Sequence, residues 1–288
     1  MPSSLPGYAA VAFTIISWAA AFPWIRIALN ELAPIELASA RFAIAAILIV
    51  AWLAWTRPPL PARSDALRIF LCGLAGIALY NFFLNTGQQT VAAGAASFIV
   101  NSAPILTALL ALFFLGERFT VWGWIGTVVS FCGIGVIASG QPGGLSFGAG
   151  SIFILCAAVC TGSYFVLQKP LVAKYGAMPC AAYTMLIGAL LLSPWLPSAA
   201  TKLTTASHTT ISAVVALAVF PAALGYATWT YALGYFGAAR ASNFLYLIAP
   251  VATLLAFLFT GETPNISTIA GGALSILGVI IVNTRGRN

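Results

Sequence analysis

The chain is 288 residues long, 61% hydrophobic and 6% charged, with a mean hydropathy of +1.01. A soluble domain carries about a quarter charged residues, so this chain has too little polar surface to face water and is expected to be an integral membrane protein. Its net charge of +7 is scattered and forms no basic run, which excludes a nucleic-acid footprint and suits residues that set membrane orientation.

Ten apolar spans are predicted, at 8–29, 34–56, 67–90, 94–115, 120–139, 149–170, 178–197, 210–234, 238–260 and 264–284. Runs of about 20 apolar residues point to helices, because barrel strands would alternate over about ten. The first run exceeds a signal-peptide core and lacks a basic leader, so it counts as a span. Breakers fall at Pro58-Pro59-Leu60-Pro61 and Gln141-Pro142-Gly143-Gly144. The second marks a joint, with one five-span unit at 1–140, a linker at 141–149 and a second unit at 150–288.

The two units repeat each other. Ser97, Asn101, Ala103-Pro104 and Leu115-Gly116-Glu117 in the first answer to Ser242, Tyr246, Ala249-Pro250 and Thr260-Gly261-Glu262 in the second. Gly126, Ser130 and Gly133 answer to Gly271, Ser275 and Gly278, at a common offset of 145 residues with one local slip at the Ala-Pro pairs. An odd number of spans per unit turns the second copy over in the bilayer. The expected fold is therefore all-α, with ten transmembrane helices arranged as two inverted five-helix repeats. Charge agrees with this. With both termini cytoplasmic, nine basic residues (among them Arg57, Arg118, Lys174 and Arg240) lie inside, against Lys202, Arg26 and Arg41 towards the outside. Arg118 is matched by Thr263, Lys169 by Trp24 and Arg240 by Ala95, so equivalent positions change charge with side; Lys202 against Arg57 is the exception.

Gly126, Ser130 and Gly133, like their copies, fall on one helix face and suit close, static packing. Other polar residues fall near mid-span. Trp18, Tyr80, Asn81, Asn85, Asn101, Ser163, Tyr164, Tyr226 and Tyr246 are the candidate substrate-binding set. Trp18/Ser163, Asn81/Tyr226 and Asn101/Tyr246 are repeat partners, and partners at mid-depth must lie near the repeat axis, where such transporters bind substrate. Taken singly, each fits an interhelical hydrogen bond as well. Pro104 and Pro250 sit mid-span and should kink their helices; a hinge or gate and a fixed bend both fit.

No acidic residue falls mid-span, which favours facilitated diffusion or exchange over a proton relay. Glu117 and Glu262 suit helix starts. Arg41 is expected to pair with Glu36 or to snorkel, and no fixed positive charge is evident within the proposed cavity. The five cysteines are expected to be buried small hydrophobes, and His208 in a polar loop offers neither a triad nor a zinc site. No ATP-binding loop is present. Neither catalysis, metal nor cofactor is expected.

The repeated Ala103-Pro104 and Ala249-Pro250, with Leu115-Gly116-Glu117 and Gly261-Glu262 closing the fourth helix of each half, resemble the EamA-type transporters of the drug/metabolite transporter superfamily. The resemblance covers nearly the whole chain, and Thr260 in place of Leu is a small departure. It is most similar to the bacterial aromatic amino acid exporters. It implies a ten-helix secondary transporter in the bacterial inner membrane, exporting small metabolites, with amino acids prominent, by alternating access. Its partners would be a small-molecule substrate and the lipid bilayer. Aromatic walls from Trp18, Tyr80, Tyr164, Tyr226, Trp229 and Tyr246, with amides from Asn81, Asn85 and Asn101, suit a neutral amino acid with an aromatic or large apolar side chain. Exporters of other metabolites or drug-like compounds and a channel-like pore remain as alternatives.

Overall fold

A computed structural model describes residues 5–91, 93–117, 120–140, 150–260 and 265–286. The joint at 141–149, Arg118 and the second Gly-Glu pair, Gly261-Glu262, lie outside the described residues, as do the side chains of Arg26 and Ser97. The described residues are helical, with no strand among them. Nine of their helical stretches are long and apolar enough to cross a membrane.

The helices are α1 Leu5–Ala28, α2 Pro34–Thr56, α3 Ala66–Gly73, α4 Tyr80–Gly87, α5 Ala93–Val100, α6 Ala103–Leu115, α7 Val121–Ser139 and α8 Gly150–Tyr175. They continue as α9 Ala177–Leu192, α10 Leu196–Thr205, α11 His208–Leu217, α12 Gly225–Phe236, α13 Ala238–Asn243, α14 Ile248–Thr260 and α15 Ile266–Arg285. The predicted span 238–260 is built from α13, a 3₁₀ turn Phe244–Leu247, and α14. Two expectations about connections are corrected. The segment after the seventh span stays helical to Thr205, because Ala199 has an apolar site to fill beside α2. His208 begins α11 rather than sitting in a loop, since Ser207 caps that helix by accepting from the Thr210 amide at 3.2 Å.

The chain forms two compact units, residues 1–85 with 167–235 and residues 86–166 with 236–288, so each draws on both halves of the sequence. In the first unit α1 packs on α11, and α9 packs on α2 and α3. Ala21, Ile25 and Ala28 of α1 meet Leu37 and Ala40 of α2, Ala199, and Val214 and Leu217 of α11 in a core of mostly small side chains. Large apolar residues such as Ile47, Trp55 and Leu190 stand exposed instead, as a lipid-facing surface requires. At one end, the Glu31 carboxylate accepts from the Ser207 amide at 2.9 Å, the Ser207 hydroxyl at 2.5 Å and the Thr210 hydroxyl at 2.7 Å. At the other, Asp65 accepts from Lys174 Nζ at 2.6 Å and from the Tyr175 hydroxyl.

In the second unit α7 and α15, equivalent helices of the two repeats, pack face to face and antiparallel. A Cβ on Gly126 would lie 2.6 Å from the Gly278 carbonyl oxygen, and one on Gly133 would lie 2.6 Å from that of Gly271. Only glycine allows this approach. Ser130 Oγ donates to the carbonyl of its own repeat partner, Ser275, at 3.0 Å. The caps repeat the symmetry. Thr120 accepts from the Gly123 amide and donates to the Arg285 carbonyl at 3.1 Å. Asn265, its partner at the common offset, accepts from the Thr268 amide and donates to the Gly140 carbonyl at 2.7 Å. Each cap thus satisfies its own helix start and the end of the other helix.

The first Gly-Glu motif acquires a mechanism in this unit. Gly116, at φ +65°, ends α6 in the left-handed conformation. Glu117 then accepts from the amides of Ala238 and Ala239 at 3.1 and 3.0 Å. The carboxylate does meet a helix start, that of α13 rather than of the helix following it in sequence.

Gly133→Ala and Gly271→Ala should each lower the thermal midpoint of the detergent-solubilised protein, by overpacking worth about 1–3 kcal/mol. Gly272→Ala is the control, because a Cβ there would meet Pro250 at an ordinary 3.8 Å. The hydrogen bonds to Glu31, led by the Ser207 hydroxyl, hold its carboxyl below the ordinary value of 4.5. A lowered folded value means the contribution to stability is complete at neutral pH and is lost as pH falls below about 4.5 towards the folded pKa. Glu31→Gln should flatten that part of a melting-temperature profile across pH 3–7, and an unchanged slope would contradict the assignment.

Candidate functional site

The third and eighth predicted spans share an irregularity that places the candidate residues of the first unit. Leu74–Leu79 and Ala218–Leu224 are both π-helical. At the repeat offset the first maps onto the second. A π turn opens the backbone ladder, leaves a carbonyl to be satisfied elsewhere, and is frequent at functional sites. In the eighth span Pro221 supplies a reason, since it brings no N–H to the ladder. Two aromatic donors close the gaps. Trp18 Nε1 donates to the Pro221 carbonyl at 3.0 Å, and the Tyr226 hydroxyl donates to the Gly76 carbonyl at 3.0 Å. Gly225 makes room for the indole, since a Cβ there would lie 2.7 Å from Trp18 Nε1.

These bonds draw the aromatic rings together. Trp18 lies 5.7 Å from Tyr226 and 5.5 Å from Trp229 between ring centroids, and Phe42 meets Tyr226 edge-on at 6.0 Å. Asn81 and Tyr226, repeat partners in the sequence, bond to consecutive carbonyls of the first π segment, those of Ile77 and Gly76. Asn81 Nδ2 donates to the Ile77 carbonyl at 2.8 Å, while its Oδ1 accepts from Arg41 Nη1 at 3.3 Å. Tyr80, one residue before Asn81, is half-buried. Behind Tyr226, its carbonyl accepts from the Thr230 hydroxyl, which in turn accepts from Gln168 Nε2, each at 2.7 Å.

Two expectations are corrected here. Arg41 neither snorkels nor pairs with Glu36. It is 7% exposed, and the Glu36 carboxylate is committed to the Ala33 amide at 2.9 Å and to the Ser198 hydroxyl. A fixed positive charge therefore stands beside the Asn81–Tyr226 pair, where the sequence showed none. Depth counted from span ends placed Arg41 near the outer face; the inward turn of its side chain was invisible to that count. Asn85 lies apart from the aromatic cluster, its Nδ2 donating to the Pro34 carbonyl at 3.1 Å.

In the second unit Asn101, Tyr164 and Tyr246 are buried and Ser163 is half-buried. Asn101 occupies the turn between α5 and α6, and Tyr246 the 3₁₀ turn between α13 and α14. At Pro104 and Pro250 the helices are interrupted. Pro104 is the second residue of α6 and Pro250 the third of α14, positions in a first turn that need no intrahelical N–H. The repeated Ala-Pro pairs restart their helices just after the repeat partners Asn101 and Tyr246. Ser275 Oγ donates to the Tyr246 carbonyl at 2.9 Å, and Asn243 Oδ1 accepts from the Thr127 hydroxyl at 2.8 Å.

A multi-pass helical membrane protein with repeated broken helices and buried amides defines the transporter class. The sequence pattern of the EamA-like transporter family matches the chain twice, over residues 5–139 and 148–284, and the chain belongs to that family. It is 37% identical over 281 residues to a protein of Streptantibioticus cattleyicolor named "Probable terminal-alkyne amino-acid exporter", covering 96% of this chain and 93% of that protein. It is 33% identical to the transporter YdfC of Bacillus subtilis, covering 91% and 86%. One solved crystal structure shares the fold with a TM-score of 0.76, at 21% identity, over 99% of this chain and 97% of that one.

Tyr226→Phe and Trp18→Phe each strand a carbonyl in a π segment. Each should cost on the order of 1 kcal/mol in membrane-protein stability, read as a lower melting temperature. A double variant that is no less stable than either single one would argue against independent capping.

Proposed function

We propose that this protein is a secondary transporter that exports amino acids, with aromatic and other neutral ones preferred, and that it performs no catalysis and needs no cofactor. The observation that carries the reading is the cluster of Trp18, Tyr80, Asn81 and Tyr226 beside two repeat-related π segments. Rings supply walls for an apolar side chain, and amides and hydroxyls supply partners for polar ends. The name of the Streptantibioticus relative, "Probable terminal-alkyne amino-acid exporter", supports the substrate class.

The reading takes the chain as ten transmembrane helices in two inverted five-helix repeats, at 1–140 and 150–288, in the bacterial inner membrane with cytoplasmic termini. The antiparallel pairing of α7 with α15 supports the inversion. Asn85 in the first unit and Asn101, Ser163, Tyr164 and Tyr246 in the second are the further residues proposed to bind substrate, by alternating access. Pro104 and Pro250, at the restarts of α6 and α14, act as hinges. The residues of both interruptions can change backbone geometry without breaking a regular ladder.

Reconstituted into liposomes, the protein should catalyse saturable counterflow of labelled phenylalanine, methionine or threonine, reduced about tenfold or more by Trp18→Ala or Asn101→Ala. Flux that neither saturates nor shows trans-stimulation would instead indicate a channel-like pore. Saturable flux of other compounds alone would indicate an exporter of a different metabolite. Pro104→Ala and Pro250→Ala should slow transport more than they weaken substrate binding, and equal losses of both would refute a hinge.

A further inference from the structure

Arg41 is the eighth residue of α2, about 10 Å along the helix from its start, and it is 7% exposed. A guanidinium keeps its charge in proteins and carries five N–H donors. Here it makes one long hydrogen bond, to Asn81 Oδ1 at 3.3 Å, and stacks at 5.1 Å over the Phe42 ring. Its Nε has no hydrogen-bond partner among the described residues. The acidic residues described are all engaged elsewhere. Glu31 is held by Ser207 and Thr210, Glu36 by Ala33 and Ser198, Asp65 by Lys174 and Tyr175, and Glu117 by the α13 amides. A buried cation left with so few partners is costly, and inside a membrane such a residue marks a functional site by default.

From this geometry we infer that Arg41, steadied by Asn81, is the anchor for a substrate carboxylate, so that a free carboxylate next to an apolar group is a condition of recognition. The inference rests on the transport reading above and narrows it. The fork of donors matches the two oxygens of a carboxylate. The Nε edge is the one without a partner. The Phe42 ring lies against the charge and meets Tyr226 edge-on, so a ligand whose carboxylate sits on Arg41 finds aromatic rings beside its apolar part. A neutral zwitterion and a simple organic acid share this chemistry, and the choice of competitors separates them.

The test is competition with labelled phenylalanine in proteoliposomes by phenylalanine, 3-phenylpropionate, phenylalaninamide and phenethylamine. The first should compete at least tenfold better than the last two. If 3-phenylpropionate competes as well, the carboxylate suffices; if it does not, the ammonium is required too, and both results support the anchor. Arg41→Gln should abolish the preference for acid over amide, while Arg41→Lys, charged but without the fork, should keep part of it. Equal competition by phenylalaninamide or phenethylamine on the unmodified protein overturns the inference whatever the variants do, and leaves the amino acid exporter standing. If no amino acid is transported at all, the exporter reading falls, and a separate readout decides the anchor. Millimolar 3-phenylpropionate or phenylalanine should then raise the melting temperature of the wild type and not of Arg41→Gln. No shift with either ligand overturns the inference.

Discussion

No lipid chain can accept or donate a hydrogen bond, so a polar group buried in this chain is stabilised only where protein supplies its partner. That constraint orders the structure at each scale. It makes the spans helical. It puts Thr120 and Asn265 where two helices start and lets each also close the end of the other. It sends the Glu117 carboxylate to the bare amides that open α13. Where the backbone departs from the α pattern, at Leu74–Leu79 and Ala218–Leu224, it recruits Tyr226 and Trp18 to the freed carbonyls. The aromatic cluster therefore follows from backbone bookkeeping: the rings lie together because their polar ends are tied to two repeat-related turns.

The same constraint separates rigid from adaptable parts. The α7–α15 contact has backbone against backbone, with no side chain that can shift to relieve strain. The interruptions before Pro104 and Pro250 are the opposite case. There the α pattern is already broken, by the turn at Asn101 and Ser102 and by the 3₁₀ turn that holds Tyr246. Packing of the first kind is rigid, and in the proposed transport cycle irregular backbone of the second kind is where movement would be taken up.

Much of this was legible in the sequence because it rests on pattern. The repeat offset and the small-residue faces follow from counting residues, and so does the membrane class. What counting missed depends on direction. Arg41 sits at a depth compatible with snorkelling, and only the coordinates show it turned to Asn81 while Glu36 serves a helix start and Ser198. The π segments left no clear mark either. Pro221 hints at one, but Leu74–Leu79 contains no proline, and its irregularity is visible in sequence only as the equivalent of the other. Proline in mid-span suggests a bend, and a run of 23 residues at 238–260 conceals two helices and a 3₁₀ turn.

The meeting of α7 with α15 has a further meaning for ancestry. Gly126 touches Gly278 as Gly271 touches Gly133, so the surface that one repeat offers is the surface it receives. Such an isologous face needs no second kind of chain to complete it. A half-length polypeptide inserted in both orientations would already possess both sides of this joint. At its two ends Thr120 and Asn265 fill equivalent places with different side chains and make the same pair of bonds.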